Sequence, residues 1–267
     1  QFLFDDCFLP ILRNSHQTRT VLESSCFPLV PYSNRIKHGE FNWQDKSYKL
    51  PLNHLPEKHS IHGHGWQLPW EIVHQSDKSL TLEYHYQAAE WPFTYSAQQV
   101  FTLKESSLNI ELTLVNHSQS KMPAGLGLHP YFSLTNETSL KCSVESMWAV
   151  DNESMPTTSG KAPKELASSE GLLISKSHLD NVFTGFSGAA IITWPEWKAK
   201  ADITSSPNCK FIVVYSPLGQ SYFCLEPVTH ITDAINMSNE GVDNTGVVTL
   251  NPQEKMTVSM CISPKET

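Results

Sequence analysis

The chain has 267 residues, of which 39% are hydrophobic and 17% charged, so it can build a large core and lacks the composition of a disordered chain. Its 27 acidic residues outnumber 19 basic ones for a formal net charge of −8, and the basic residues are scattered singly, which excludes a nucleic-acid partner that needs clustered Lys and Arg. No run of about 18 apolar residues occurs, and Gln1-Phe2-Leu3-Phe4-Asp5-Asp6 lacks the basic start of a secretory signal, so no membrane partner is expected.

In chain order, the first segment dense in reactive side chains is Ile61-His62-Gly63-His64-Gly65-Trp66. Glycine lets a backbone or ligand approach closely, and Trp66 offers a flat apolar face of the kind that suits a sugar ring. Histidines at i and i+2 of a strand would point the same way, so His62, His64 and Glu71 can be imagined as a metal site; the spacing is loose, and no metal is expected. Leu80, Leu82, Tyr84 and Tyr86 then alternate with polar residues, as do Leu108, Ile110, Leu112 and Leu114. This period of two predicts half-buried antiparallel strands.

Gly125-Leu126-Gly127-Leu128-His129-Pro130-Tyr131-Phe132 sets a histidine between a Gly-rich apolar approach and a Pro-aromatic stop. Residues 151–169 are the most polar stretch and read as a loop excursion. They contain the best helix candidate, Pro163 to Ser169, which is short and has Pro at its start. Shorter apolar runs, Ala189 to Trp194, Phe211 to Tyr215 and Tyr222 to Leu225, predict more deeply buried strands. Glu226 ends the last of these, so its carboxylate is either paired in the core or aimed into a site. Met256, Val258, Met260 and Ile262 form a last alternating strand.

Many short strands, 17 prolines and few helix signals predict an all-β chain, a large antiparallel β-sandwich over residues 1–267 as one domain. The six cysteines show no CxxC or tight framework and read as free thiols of a cytoplasmic protein.

Taken together, these segments resemble the motifs of the aldose 1-epimerase (galactose mutarotase) family over nearly the whole chain. Pro31-Tyr32-Ser33-Asn34-Arg35-Ile36 is similar to its arginine motif and Ile61-His62-Gly63 to its first histidine motif. Leu128-His129-Pro130-Tyr131-Phe132 resembles the catalytic histidine motif, and Leu179-Asp180-Asn181-Val182-Phe183 the sugar-binding aspartate segment. Leu225-Glu226-Pro227 with Asp233-Ala234-Ile235-Asn236 is similar to the catalytic glutamate motif. Gly63-His64 and Pro130 stand where the best-studied members have a Gly-Gly pair and a Ser, which suggests a more distant, bacterial-type subgroup.

The resemblance implies the galactose mutarotase-like supersandwich and an aldose 1-epimerase that interconverts the α and β anomers of a free sugar, a hexose such as galactose or glucose, without a cofactor. Mutarotation needs a base at the C1 hydroxyl and an acid at the ring oxygen. With reference pKa values of about 4.3 for Glu and about 6.5 for His, Glu226 is the expected base and His129 the expected acid, flanking a ring-sized gap. His62, Arg35, Asp180 and Trp66 are the expected substrate-binding residues. The alternatives are a non-catalytic sugar-binding module, a sugar-phosphate epimerase on the same fold, which would need a cationic cluster, and a glycoside-processing enzyme, which would need a second carboxylate beside Glu226.

Overall fold

The computed structural model describes residues 2–4, 7–15 and 20–267. Two large antiparallel sheets dominate it. The nine-stranded sheet runs in the order Leu172–Leu173, Ser139–Cys142, Ala189–Trp194, Ala199–Ser205, Lys255–Glu266, Ser107–Asn116, Tyr95–Lys104, Ser79–Tyr86 and Glu71–Gln75. The seven-stranded sheet runs Pro156–Lys161, Ser146–Val150, Asp180–Thr184, Phe211–Tyr215, Tyr222–Val228, Gly127–Ser133 and Cys26–Leu29.

One core cluster joins the sheets, with Leu112 and Val258 from the first meeting Phe223 and Leu225 from the second. A second cluster covers the opposite face of the seven-stranded sheet. There Phe27, Tyr131, Val213 and Cys224 pack with Ile61, Trp66 and Ile231 from the connecting segments. The two environments account for the two sequence patterns. Strand Ser107–Asn116 alternates buried and half-buried residues from Ile110 on, whereas every residue of Gly127–Ser133 is buried, as expected of a strand covered on both faces.

The predicted strands all form. The polar stretch 151–169 is less of an excursion than its composition implies, because Pro156–Lys161 pairs with Ser146–Val150 at the sheet edge. Lys164–Ala167 is a single 3₁₀ turn, so the proposed helix at Pro163 to Ser169 does not form. Among the described residues the α-helix is instead Ala234–Asn239, in the motif that follows Glu226. Its local propensity is poor, with Asn236, Ser238 and Asn239 in six residues. Tertiary contacts supply what propensity lacks: Ala234, Ile235 and Met237 are buried, and the Asn236 and Asn239 amides donate to the carbonyls of Glu40 and Asn42. Cys26, Cys142, Cys209, Cys224 and Cys261 are free thiols. Among the described residues no helix is long and apolar enough to cross a membrane.

Candidate active site

The covered face of the seven-stranded sheet carries the site. Side chains two residues apart on a strand share a face, so Cys224 and Glu226 project together, as do His129 and Tyr131 on the neighbouring strand. Register sets Glu226 opposite Val213, Tyr131 opposite Cys224 and His129 opposite Phe27. The result is direct contact: His129 Nε2 lies 3.3 Å from Glu226 Oε1, with both side chains buried.

The facing wall comes from two connecting segments joined by a short ladder, Arg35–Ile36 with Ser60–Ile61. Asn34 and His62 both adopt left-handed backbone, at φ 58° and 61°, and bond reciprocally. The Asn34 N–H donates to His62 Nδ1 at 3.0 Å, and the His62 N–H donates to the Asn34 carbonyl at 2.9 Å. With Nδ1 accepting, the proton of the neutral ring sits on Nε2, which makes His62 a hydrogen-bond donor. Gly63 follows at φ 67°, and a Cβ there would lie 2.2 Å from the Val30 carbonyl oxygen, so only glycine fits this turn.

Arg35 ties this wall to the sheet. Its Nε and Nη2 donate to the two Glu57 oxygens at 3.2 and 2.9 Å, and Nη2 lies 3.4 Å from Asp180 Oδ2 on strand Asp180–Thr184. A fork-to-fork pair of this kind fixes orientation as well as charge. Glu57 was not legible as a site residue, because nothing local links it to an arginine 22 positions away.

All six residues singled out from the sequence, Glu226, His129, His62, Arg35, Asp180 and Trp66, line one cavity of about 310 Å³, with Phe27, Tyr131, Tyr215 and Tyr222 beside them. That volume is at the lower end of small-molecule sites. A wider groove of about 900 Å³ between residues 40–49 and the helix holds none of the six. Trp66 is 4% exposed: it stacks on Phe27, meets His62 edge-on, and donates its indole N–H to the Gly63 carbonyl at 3.1 Å. It therefore braces the aromatic wall more than it presents a free platform.

The imagined His62/His64/Glu71 metal site does not assemble. The left-handed turn at His62 and Gly63 breaks the strand periodicity, and His64 stacks on Tyr86 with ring centroids 4.5 Å apart while Glu71 lies exposed on the far edge of the other sheet. Among the described residues, the donor set that could hold a metal is His129, Cys224 and Glu226, whose ligand atoms lie within 4.8 Å of one another.

The expected separation of acid and base also fails. The two groups sit side by side, an arrangement compatible with two oxygens bonded to one carbon. Their proton inventory differs from the reference expectation too. Burial pushes Glu226 well above the carboxylate range, with Asp180 adding to the rise and Arg35 opposing it. Burial lowers His129 to about 3, with a hydrogen bond to its own backbone opposing the fall and Arg13 adding to it. Burial first, then the neighbouring His129, Arg35 and His54, holds His62 well below its usual value. Burial thus favours the neutral forms of both groups, the carboxyl of Glu226 and the uncharged imidazole of His129. Protonation of His129 is expected only near its lowered value, and ionisation of Glu226 only above the ordinary carboxylate value. His129 is therefore expected to contribute no limb to the kcat/KM profile at the ordinary histidine value of about 6.5. A His129 ring that titrates near that value by NMR would contradict this.

The family model for aldose 1-epimerases matches residues 5–263. The chain belongs to the aldose 1-epimerase family. It is 30% identical over 261 residues to an uncharacterized Escherichia coli K12 protein, YphB, covering 95% of this chain and 88% of that one. A crystal structure of an Escherichia coli K12 protein named as a candidate aldose 1-epimerase superposes with a TM-score of 0.88 at 27% identity, covering 96% of this chain and 89% of that one. A galactose mutarotase-like protein from Clostridium acetobutylicum, at 23% identity with 91% and 79% of the two chains covered, shares the fold with a TM-score of 0.79. The sandwich expected from the sequence is therefore that of this family.

Proposed function

We propose that this family member is an aldose 1-epimerase acting on a free, neutral aldose of hexose size, such as galactose or glucose. The observation that carries the reading is the buried contact of His129 Nε2 and Glu226 Oε1 at 3.3 Å, facing a cavity that also collects His62, Arg35 and Asp180. The states COOH···Nε2 and COO⁻···H–Nε2 have the same net charge, so burial does not forbid transfer of the proton from Glu226 to His129. A bound C1 hydroxyl donating to the carboxylate, with the Arg35 charge that already favours its ionised form, tips the pair to the second state.

From there Glu226 takes the C1 hydroxyl proton while His129 gives its proton to the ring oxygen. The C1–O5 bond breaks, C1=O forms, and rotation about C1–C2 presents the other carbonyl face. Ring closure returns both protons. His62 Nε2–H is a donor available to an oxygen of the sugar, and Asp180 is an acceptor for a ring hydroxyl. Each positioned acid or base contributes about 10²–10⁴-fold.

Charge supports a neutral substrate. Arg35 is engaged by two carboxylates, Glu57 and Asp180, so a sugar phosphate would have to break ion pairs to find a cation there. Five free thiols support a cytoplasmic, reducing location. The test is polarimetry of freshly dissolved α-anomers across free hexoses, pentoses and 6-phosphorylated aldoses. Acceleration of free hexoses above the phosphates is expected; a preference for the phosphates would reject the charge argument. Arg35→Ala and Asp180→Ala should raise KM more than they lower kcat, because both groups hold the sugar through the whole reaction. A loss confined to kcat would move them into the proton-transfer machinery.

A further inference from the structure

A catalytic histidine is ordinarily oriented by a hydrogen bond on the ring nitrogen that does not react. His129 has none from another residue: Nε2 faces Glu226, while Nδ1 is buried with no hydrogen bond to any other described residue. Packing must therefore set the plane of the ring. The imidazole lies against Phe27, with centroids 4.3 Å apart and planes at 27°, and against Tyr131, at 4.8 Å and 28°. Phe27 is backed in turn by Trp66 at 5.4 Å and 29°.

The other end of this row is closed from the N-terminal segment. His129, Tyr131 and Ser133 share one face of their strand. Ser133 is small and its hydroxyl donates to the Pro10 carbonyl, while Tyr131 meets Tyr222 edge-on with centroids 5.1 Å apart. The Arg13 guanidinium lies against this pair, its carbon 3.5 Å from the Tyr131 ring centroid and 4.8 Å from that of Tyr222. Arg13 is itself fixed. Its backbone N–H donates to the Tyr131 carbonyl at 2.9 Å, Nε and Nη2 donate to the Ser24 carbonyl at 2.8 and 2.6 Å, and Nη2 also donates to the Leu22 carbonyl. A planar guanidinium can stack and donate in its plane at once, which a lysine ammonium cannot.

We infer that Arg13 is a positioning residue for the catalytic pair: by clamping Tyr131 it holds the His129 ring with Nε2 toward Glu226, in place of a hydrogen bond from another residue at Nδ1. The inference rests on the proposed mutarotation for its kinetic consequence and on the aromatic row alone for its structural one. The test compares Arg13→Met, which keeps an apolar stem of similar reach, with Arg13→Lys, which keeps the charge without the plane. Mutarotation kinetics by polarimetry and ¹⁵N NMR of the His129 ring nitrogens are read on each. Arg13→Met should lower kcat about tenfold to a hundredfold with KM changed less than about twofold, as misplacement of a reacting group does. Arg13→Lys should recover only part of the loss. In both variants the two nitrogen signals should move toward each other, because a ring no longer fixed against Glu226 samples both tautomers. If Arg13→Met does not fold, Arg13→Lys is read alone by the same criteria. A folded variant with kcat within about twofold of wild type and unchanged His129 nitrogen signals would overturn the inference. A wild-type protein without mutarotase activity would instead sink the proposed function, and the nitrogen signals would still decide the role of Arg13.

Discussion

Glu226→Gln is expected to lower kcat by about 10³-fold or more while KM stays within about threefold. The amide matches the carboxyl in shape and can still hydrogen-bond to His129 Nε2 across the 3.3 Å contact, but it cannot take up the C1 hydroxyl proton. The lost interaction exists only as the proton moves, so it is a transition-state loss and leaves ground-state binding intact. The variant should also fold. Burial favours the neutral form of Glu226, so a neutral amide of the same shape suits the position. Michaelis–Menten analysis of polarimetric rates, with circular dichroism as the folding control, gives the result. Near wild-type turnover in a folded Glu226→Gln protein would remove Glu226 from the chemistry.

The second large effect is at His129. His129→Asn should reduce kcat by about 10²–10³-fold, because the ring oxygen loses its proton donor and must draw on water. This variant also withdraws a ring from between Phe27 and Tyr131, so it should melt earlier than Glu226→Gln. The informative comparison is the double variant. Glu226 takes one proton as His129 gives another in one coupled step, so either group alone is of little use, and the double should be within about fivefold of the worse single variant. Losses that multiply would mean that the two residues act in separate steps and that their contact is incidental.

Much of this was legible in the sequence because it is local. Alternation at residues 108–114 and 256–262 reported one buried face, and the continuous apolar run ending in Glu226 reported a strand covered on both faces. The candidate site residues were legible because His129 and Glu226 interrupt such runs, and burying a titratable group there needs a reason. What was hidden depends on pairings across the chain. Glu57 matters only because the ladder of Arg35–Ile36 with Ser60–Ile61 brings it to Arg35. The helix Ala234–Asn239 forms through carbonyls nearly 200 positions away, which no propensity scale registers. The direction in which burial moves the pair was hidden for a related reason: reference pKa values describe solvated groups, and the sequence does not display how completely this face is covered.

The central claim is that the His129–Glu226 pair opens and closes a sugar ring, and isotope retention tests it most directly. An α-aldose labelled with ¹⁸O at the C1 hydroxyl is mixed with the protein, and anomer exchange and label content are followed together by ¹³C NMR, in which ¹⁸O shifts the C1 signal. The account predicts that the anomers equilibrate far faster with wild-type protein than with Glu226→Gln, and that the label stays on C1, because the bond that breaks is C1–O5. Anomer exchange no faster than in the variant, or label lost to water at each interconversion, would contradict it.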